Sequence, residues 1–226
     1  MVNCDKTKLP QLTPNNGNFE NSPLCFVPLN TNGDYLLAGI SPGQYLIKPW
    51  VSNKNLKLHI HPEYIEFTVE KQSLTIAESF TISGFNVAGR VLVSHDGWGV
   101  ANAKVKLNGK EVATTHTDGS YTLNNIKGGT YTIQVVADNL QFNDNTVKVT
   151  LSDTVLPDTI VANFKVCGQV ISQESYTIAL TKHASTFHTQ ATSAAGGTGE
   201  WCTFLPNGRF SVEVLTSAAE KASGIQ

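Results

Sequence analysis

Lys104-Val105-Lys106-Leu107-Asn108-Gly109-Lys110-Glu111-Val112-Ala113-Thr114-Thr115-His116-Thr117-Asp118-Gly119-Ser120-Tyr121 is the stretch that decides the fold. Val105 and Leu107 alternate with Lys104 and Lys106, so on a strand the apolar side chains share one face and the lysines the other. Asn108-Gly109 tolerates positive φ at both positions and suits a two-residue hairpin turn, which predicts that Val112 to His116 pairs back antiparallel. Asp118-Gly119 marks a second tight turn: glycine adopts the positive φ freely, and the preceding carboxylate can bond its own backbone. Asp118, Gly119 and Tyr121 are therefore read as structural turn positions.

The same alternation extends on both sides. Phe85, Val87, Val91 and Val93 precede the stretch; Tyr121 and Leu123, then Tyr131, Ile133 and Val135, then Val147, Val149 and Leu151 follow it. About seven short strands in some 80 residues, each with one apolar face, must stack as two layers. No segment carries a 3.6-residue apolar period of helical length; the best candidate, Thr216 to Ser223, is short. The fold class is all-β, with antiparallel β-sandwich modules.

The pattern repeats. Asn32-Gly33-Asp34-Tyr35 echoes Asp118-Gly119-Ser120-Tyr121, and Asn207-Gly208-Arg209-Phe210 is read as a third copy, which adds Gly33 and Gly208 to the turn positions. Ser41-Pro42-Gly43-Gln44-Tyr45-Leu46-Ile47 matches Lys127-Gly128-Gly129-Thr130-Tyr131-Thr132-Ile133. Gly84-Phe85-Asn86-Val87-Ala88-Gly89-Arg90-Val91 reappears, 79 residues on, as Asn163-Phe164-Lys165-Val166-Cys167-Gly168-Gln169-Val170. A period of 80 to 90 residues means tandem modules. The expected division is a partial module at 1–81 without its opening strand, a complete one at 82–161 and a partial one at 162–226. Short connections such as Leu156-Pro157-Asp158 should restrict motion between modules.

Composition narrows the function classes. Lys plus Arg is 16 and Asp plus Glu is 18, so the formal charge is -2 and there is no basic excess to meet a phosphate backbone; nucleic acid is not an expected partner. No apolar run reaches the length of a membrane-spanning helix. The opening Met1-Val2-Asn3-Cys4-Asp5-Lys6 leads into a polar stretch unlike a secretory signal.

Catalytic and cofactor motifs are missing: there is no nucleophile elbow, zinc-protease helix, P-loop or strand-linked dinucleotide fingerprint, so neither an enzyme nor a cofactor is expected. Gly196-Gly197-Thr198-Gly199 is read as a flexible loop. His59 and His61 would share a strand face and could hold a metal, but no carboxylate or cysteine completes the set, which favours a solvated face. Asn143-Asp144-Asn145 is read as turn chemistry, and His95-Asp96 and His116 with Asp118 as isolated loop pairs. Lys104, Lys106 and Lys148 solubilise the polar faces. Four cysteines, Cys4, Cys25, Cys167 and Cys202, allow three pairings; closeness within units favours Cys4 with Cys25 and Cys167 with Cys202, against four buried thiols. Trp50, Trp98 and Trp201 are the candidates for a sugar-stacking platform, the alternative function being a carbohydrate-binding module.

Two resemblances add to this. Gly99 to Leu107, Thr115 to Tyr121 and Ile126 to Ile133 resemble the carboxypeptidase-regulatory-like, transthyretin-like (prealbumin-like) sandwich, a carbohydrate-binding-like fold. The chain is also similar to the nodal modulator family. The similarity lies in Leu24-Cys25, the Asn32 turn, Leu58-His59-Ile60-His61-Pro62, Phe67-Thr68-Val69-Glu70, Gly84 to Leu92, Leu123 to Ile126, Gly129 to Ile133 and Phe164 to Gln169, in that order. Trp201 to Phe210 resembles the next module of the same array. That resemblance implies a non-enzymatic scaffold on the lumenal side of the endoplasmic reticulum membrane. It also implies association with nicalin and a small multi-spanning membrane protein at the translocon for multi-pass proteins, and an influence on Nodal signalling.

Overall fold

The structure is a computed structural model and describes residues 26–53 and 55–217. These residues form strands and no helix, and they fall into two compact units. The first unit, among the described residues 26–50 with 60–81, holds β1 (Gly43–Ile47) and β3 (Ile65–Val69), antiparallel with Tyr45 opposite Phe67 and Gly43 opposite Val69. The Tyr45 and Phe67 rings stack at 5.7 Å, and the Tyr45 hydroxyl donates to the Ser41 carbonyl at 2.7 Å. β2 (Leu58–His61) lies between them in sequence.

The second unit contains the complete sandwich. One sheet runs β10 (Asn145–Val149), β8 (Gly129–Val136), β5 (Lys104–Leu107), β6 (Lys110–Thr114). The other is built on β4 (Thr81–Leu92), flanked by β7 (Ser120–Ile126) and by β11 (Thr159–Gln169), which in turn carries β9 (Leu140–Phe142). The inward residues of both sheets meet in one core: Val105, Leu107, Ile133, Val135 and Val149 from the first; Phe85, Val87, Val91, Tyr121, Leu123 and Val161 from the second. Asn108 and Gly109 turn the β5–β6 hairpin with φ of 50° and 83°, as the dipeptide requires.

The third copy consists of the distal half of β11, paired antiparallel with β14 (Glu200–Leu205), and of a second sheet, β13 (His188–Thr192), β12 (Thr177–Lys182), β15 (Phe210–Leu215). Ile178 and Leu180 pack on Trp201 and Leu205. The repeat holds at the level of single atoms. The buried Thr115 hydroxyl oxygen accepts from the Ala103 N–H at 2.8 Å, and Ser193 does the same for Tyr176 at 2.8 Å.

The third copy of the Asp118-Gly119 turn is displaced from its expected place. Val91 N–H donates to the Gly119 carbonyl at 2.9 Å, and Val170 N–H to the Gly199 carbonyl at 2.9 Å. In both glycines a Cβ would fall on a carbonyl oxygen, that of Val91 or that of Val170. Thr198-Gly199-Glu200-Trp201 is therefore the repeat, and Gly199 belongs to the frame of the sandwich and not to a free loop. Gly208 sits in the β14–β15 connection, the counterpart of the β7–β8 connection. Tyr121, read as a turn residue, lies within β7 because the strand starts immediately after Gly119.

Candidate functional site: the shared strand and the cleft beside it

β11 is the point where two sandwiches meet. Its proximal residues Thr159 and Ile160 run parallel to Val91 and Leu92, and Val161 to Phe164 run antiparallel to β9. From Phe164 to Gln169 the same strand pairs antiparallel with β14. Phe164 is opposite Leu140 in one module and Leu205 in the next. Asn163 Nδ2 donates to Gln141 Oε1 at 3.0 Å, and Lys165 N–H donates to the Asn139 carbonyl at 2.8 Å, so the crossing is bonded on both sides. The expected boundary at 161/162 falls inside this strand, and the one at 81/82 inside β4. Leu156-Pro157-Asp158 is thus not a linker between modules: it precedes β11 and packs on the middle one, with Leu156 N–H donating to the Ala88 carbonyl at 2.8 Å.

Cys167 and Cys202 face each other across β11 and β14, at a Cα–Cα distance of 4.1 Å, and are disulfide-bonded. Their side chains lie on the exposed face, while Trp201, one residue along, is buried. Cys4 and Cys25 lie outside the described residues.

One residue before the disulfide position in the repeat frame, an aromatic ring covers a glycine in the middle module and in the third copy. Tyr121 lies opposite Gly89 and Trp201 opposite Gly168, and a Cβ on either glycine would run into the ring. This explains why both positions are glycine: the ring needs the space to reach the core. Tyr121 ends in an open cleft of about 410 Å³ whose lining includes Gly89, Arg90, Val155, Leu156 and Asp158. At its mouth Arg90 donates from Nε and Nη2 to the two Asp158 oxygens at 3.0 and 2.7 Å. The bidentate hydrogen bond and the charge of Asp158 hold the guanidinium pKa above its ordinary value. At its floor the Tyr121 hydroxyl is buried with no hydrogen-bond partner among the described residues. Burial first, and the Asp158 charge second, push that phenol up to about 12.

The other sequence candidates are scattered. Asp118 accepts from the Ser120 hydroxyl at 2.6 Å and its N–H at 3.0 Å, which lowers its pKa. Gly33 has φ of 87° in the equivalent turn of the first unit. His59 is not on a solvated face: it is half-buried and its Nε2 is 2.6 Å from Asn86 Oδ1 of β4, while His61 is exposed. No three His, Cys, Asp or Glu side chains come together in a metal-binding group among the described residues. Asp144 accepts from Gln134 Nε2 at 2.7 Å, and Lys104 pairs with Glu111 at 3.4 Å. Of the three tryptophans, Trp201 is withdrawn into the core; Trp98 is 85% exposed on the β4–β5 connection, and Trp50 packs against Phe26 at 5.2 Å. No shared aromatic platform is formed by Trp98 and Trp201. The Gly199 turn and the Gly168–Trp201 pair were the features that sequence reading missed. The 79-residue offset of the opening strands was the signal for them, since it places the turn near residue 198 and not 208.

These features define a class: a run of transthyretin-like β-sandwiches in which one strand serves two neighbours. Two family models fit consecutive stretches, the second β-sandwich domain of BOS complex subunit NOMO1-like proteins at residues 82–163 and the fifth transthyretin-like domain of NOMO at 165–226. The chain is 32% identical over 210 residues to BOS complex subunit NOMO1 of Mus musculus, covering 89% of this chain and 17% of that protein. It is 29% identical over 234 residues to the Homo sapiens protein of the same name, covering 100% of this chain and 19% of the relative. Among solved structures, the TIE protein of Bacillus anthracis aligns over 86% of this chain and 44% of that one, at 12% identity and a TM-score of 0.28. The chain belongs to the nodal modulator (NOMO) family, and spans less than a fifth of the length of these two curated relatives. No helix among the described residues is long and apolar enough to cross a membrane.

Proposed function

We propose that this chain is a non-enzymatic segment of a lumenal scaffold of the endoplasmic reticulum membrane, working in a BOS-type complex at the translocon that handles multi-pass membrane proteins. Nicalin and a small multi-spanning membrane protein are its partners, with modulation of Nodal signalling as a consequence. The observation that carries the reading is β11: one unbroken strand, hydrogen-bonded into two sandwiches, holds neighbouring modules in a fixed relation. A scaffold needs that property and an enzyme does not. The relatives' names, which make them subunits of a complex, support the assignment of protein partners. The expected division at 1–81, 82–161 and 162–226 is kept as the functional unit of the array, with β11 counted in both of the modules it joins.

Affinity isolation from solubilised endoplasmic reticulum, with the full-length parent protein as bait, should recover nicalin. Repeated recovery of the bait without it overturns the assignment. The carbohydrate-binding alternative has one observation in its favour, the exposed Trp98 beside His95 and Asp96; a glycan array without any signal removes it.

A further inference from the structure

The Cys167–Cys202 bond lies where the fold does not need it. The two cysteines face each other across β11 and β14, one position from the Gly168–Trp201 pair. In the middle module the corresponding neighbours of Gly89 and Tyr121 are Ala88 and Thr122, opposite each other across β4 and β7. That sandwich closes in the same register without a covalent bond, so hydrogen bonds and core packing suffice to pair the two strands. Exposure also belongs to the repeat frame. Ala88 and Thr122 are exposed in the complete middle module and Cys167 and Cys202 in the third copy, while Tyr121 and Trp201 beside them are buried. Side chains alternate across a strand, and this position takes the outward face. The flanking pairs on that face are Gln169 opposite Glu200 and Lys165 opposite Phe204. The sulfurs are thus within reach of a reagent while both sandwiches stay folded, and exposed disulfides are reduced more readily than enclosed ones.

We infer that Cys167–Cys202 is a thiol–disulfide exchange site for a dithiol oxidoreductase of the Cys-x-x-Cys class, and that its reduction loosens β14 from β11 in the third copy while the middle sandwich stays closed. A thiolate of the dithiol attacks one sulfur of the pair; the Cys167–Cys202 S–S bond breaks as a mixed disulfide forms, and the released cysteine thiolate takes up a proton. The second thiol of the reagent gives up its proton and attacks the reagent's own sulfur in the mixed disulfide. This expels the other cysteine as a thiolate, which is protonated in turn. The chain gains two electrons and two protons, and the dithiol leaves as a disulfide. β14 responds because, among the described residues, it pairs with β11 alone, as β7 pairs with β4 alone. The middle core contains neither cysteine. The ladder from Phe164–Leu205 to Gln169–Glu200 keeps the two thiols opposite each other, so an oxidised dithiol closes the same bond again.

The experiment gives the folded 226-residue chain either dithiothreitol or a reduced thioredoxin-type protein, without denaturant. Thiols are alkylated at intervals, and mass spectrometry of the peptides that hold Cys167 and Cys202 follows this bond separately from Cys4 and Cys25. Both reagents should reduce it, dithiothreitol within a hundredfold of its rate on the same chain unfolded in guanidinium. A greater slowing overturns the inference, because the bond would then open only on unfolding; resistance to the protein dithiol overturns it as well. Hydrogen exchange reads the consequence. Reduction should speed exchange of the 200–205 amides at least tenfold and leave those of 104–107 and 129–136 within twofold. The double variant Cys167→Ala/Cys202→Thr, which installs the middle module's pair, should show the fast exchange without reductant and no further change with it. Protection of 200–205 that survives reduction overturns the inference. So does a variant that responds to reductant as the parent does, since another bond would then be responsible.

Discussion

Replacing Tyr121 by Phe removes one oxygen from the floor of the cleft and leaves the ring over Gly89. A buried hydroxyl without a partner carries a desolvation penalty of about 1–3 kcal/mol that no bond repays. At neutral pH the variant should therefore be as stable as the parent, or more stable by up to about 1 kcal/mol, whereas deletion of a bonded hydroxyl costs about 1 kcal/mol. Alkaline pH separates the two proteins further. The phenol titrates near 10 when unfolded, and its folded value is raised to about 12. A raised pKa means that the neutral group's contribution is complete below pH 10 and is lost as pH rises through 12. The parent should lose about 1.4 kcal/mol at pH 11 and about 2–3 kcal/mol beyond pH 12 from this group alone. Tyr121→Phe loses none of it. Tyr35, whose pKa burial also raises, is present in both proteins and cancels in the difference. Urea unfolding followed by near-ultraviolet circular dichroism at pH 7 and pH 11 measures both effects. A loss above about 1 kcal/mol at pH 7, or superimposable alkaline limbs, would refute the reasoning, because either means that the hydroxyl is bonded or wet.

Gly119→Ala places a Cβ against the Val91 carbonyl and the Gly99 backbone at φ of 77°, and should cost more than about 3 kcal/mol; Gly33→Ala, at φ of 87° with open space around it, should cost about 1 kcal/mol. Equal losses in chemical denaturation would show that the clash is not the cause. Reduction of the Cys167–Cys202 bond, or its double replacement by serine, releases a 35-residue separation and should lower stability by about 3–4 kcal/mol, read as a lower melting temperature with reductant; an unchanged melting temperature refutes it. Asp118, held low first by the Ser120 hydroxyl and then by the Ser120 N–H, contributes above the ordinary carboxylate range and loses that contribution as pH falls through its own pKa. Its midpoint, followed by nuclear magnetic resonance, should lie below 3.8, and Ser120→Ala should raise it; a midpoint at or above that value contradicts the bonding.

Much of the fold was legible because strands advertise themselves twice, through alternation and through their turns. Val105 and Leu107 face the core, and Asn108-Gly109 turns the hairpin, for reasons contained in a few adjacent residues. Gly199 was illegible for the opposite reason. Its role depends on the Val170 carbonyl 29 residues away, and its neighbours Gly196, Gly197 and Thr198 look like a loop by composition. Asn207-Gly208 offered a better local match to the turn, but local turn chemistry does not fix which strands the turn joins. His59 was misread through the same blindness: alternation gives its face, yet whether that face is wet is decided by β4 and Asn86. The Tyr121 cleft has no local signature at all, since Gly89, Tyr121 and Asp158 converge only by strand pairing.

The shared strand changes what a module boundary means. A flexible linker lets two sandwiches reorient at the cost of a few backbone torsions. At Phe164 that freedom is gone, because the strand is paired with Leu140 on one module and Leu205 on the next, and rotation there must break ladder bonds on one side. An 11-residue strand at roughly 3.3 Å per residue is long enough to give each sandwich its own half. The disulfide sits in the distal half, so it closes the third copy without touching the pairing of the second. Stiffness in such an array therefore comes from hydrogen bonds that belong to the modules themselves, and it persists for as long as both neighbours stay folded. Glycine at 168 fits this arrangement: it lets the Trp201 ring fill the core beneath the strand that the two modules share.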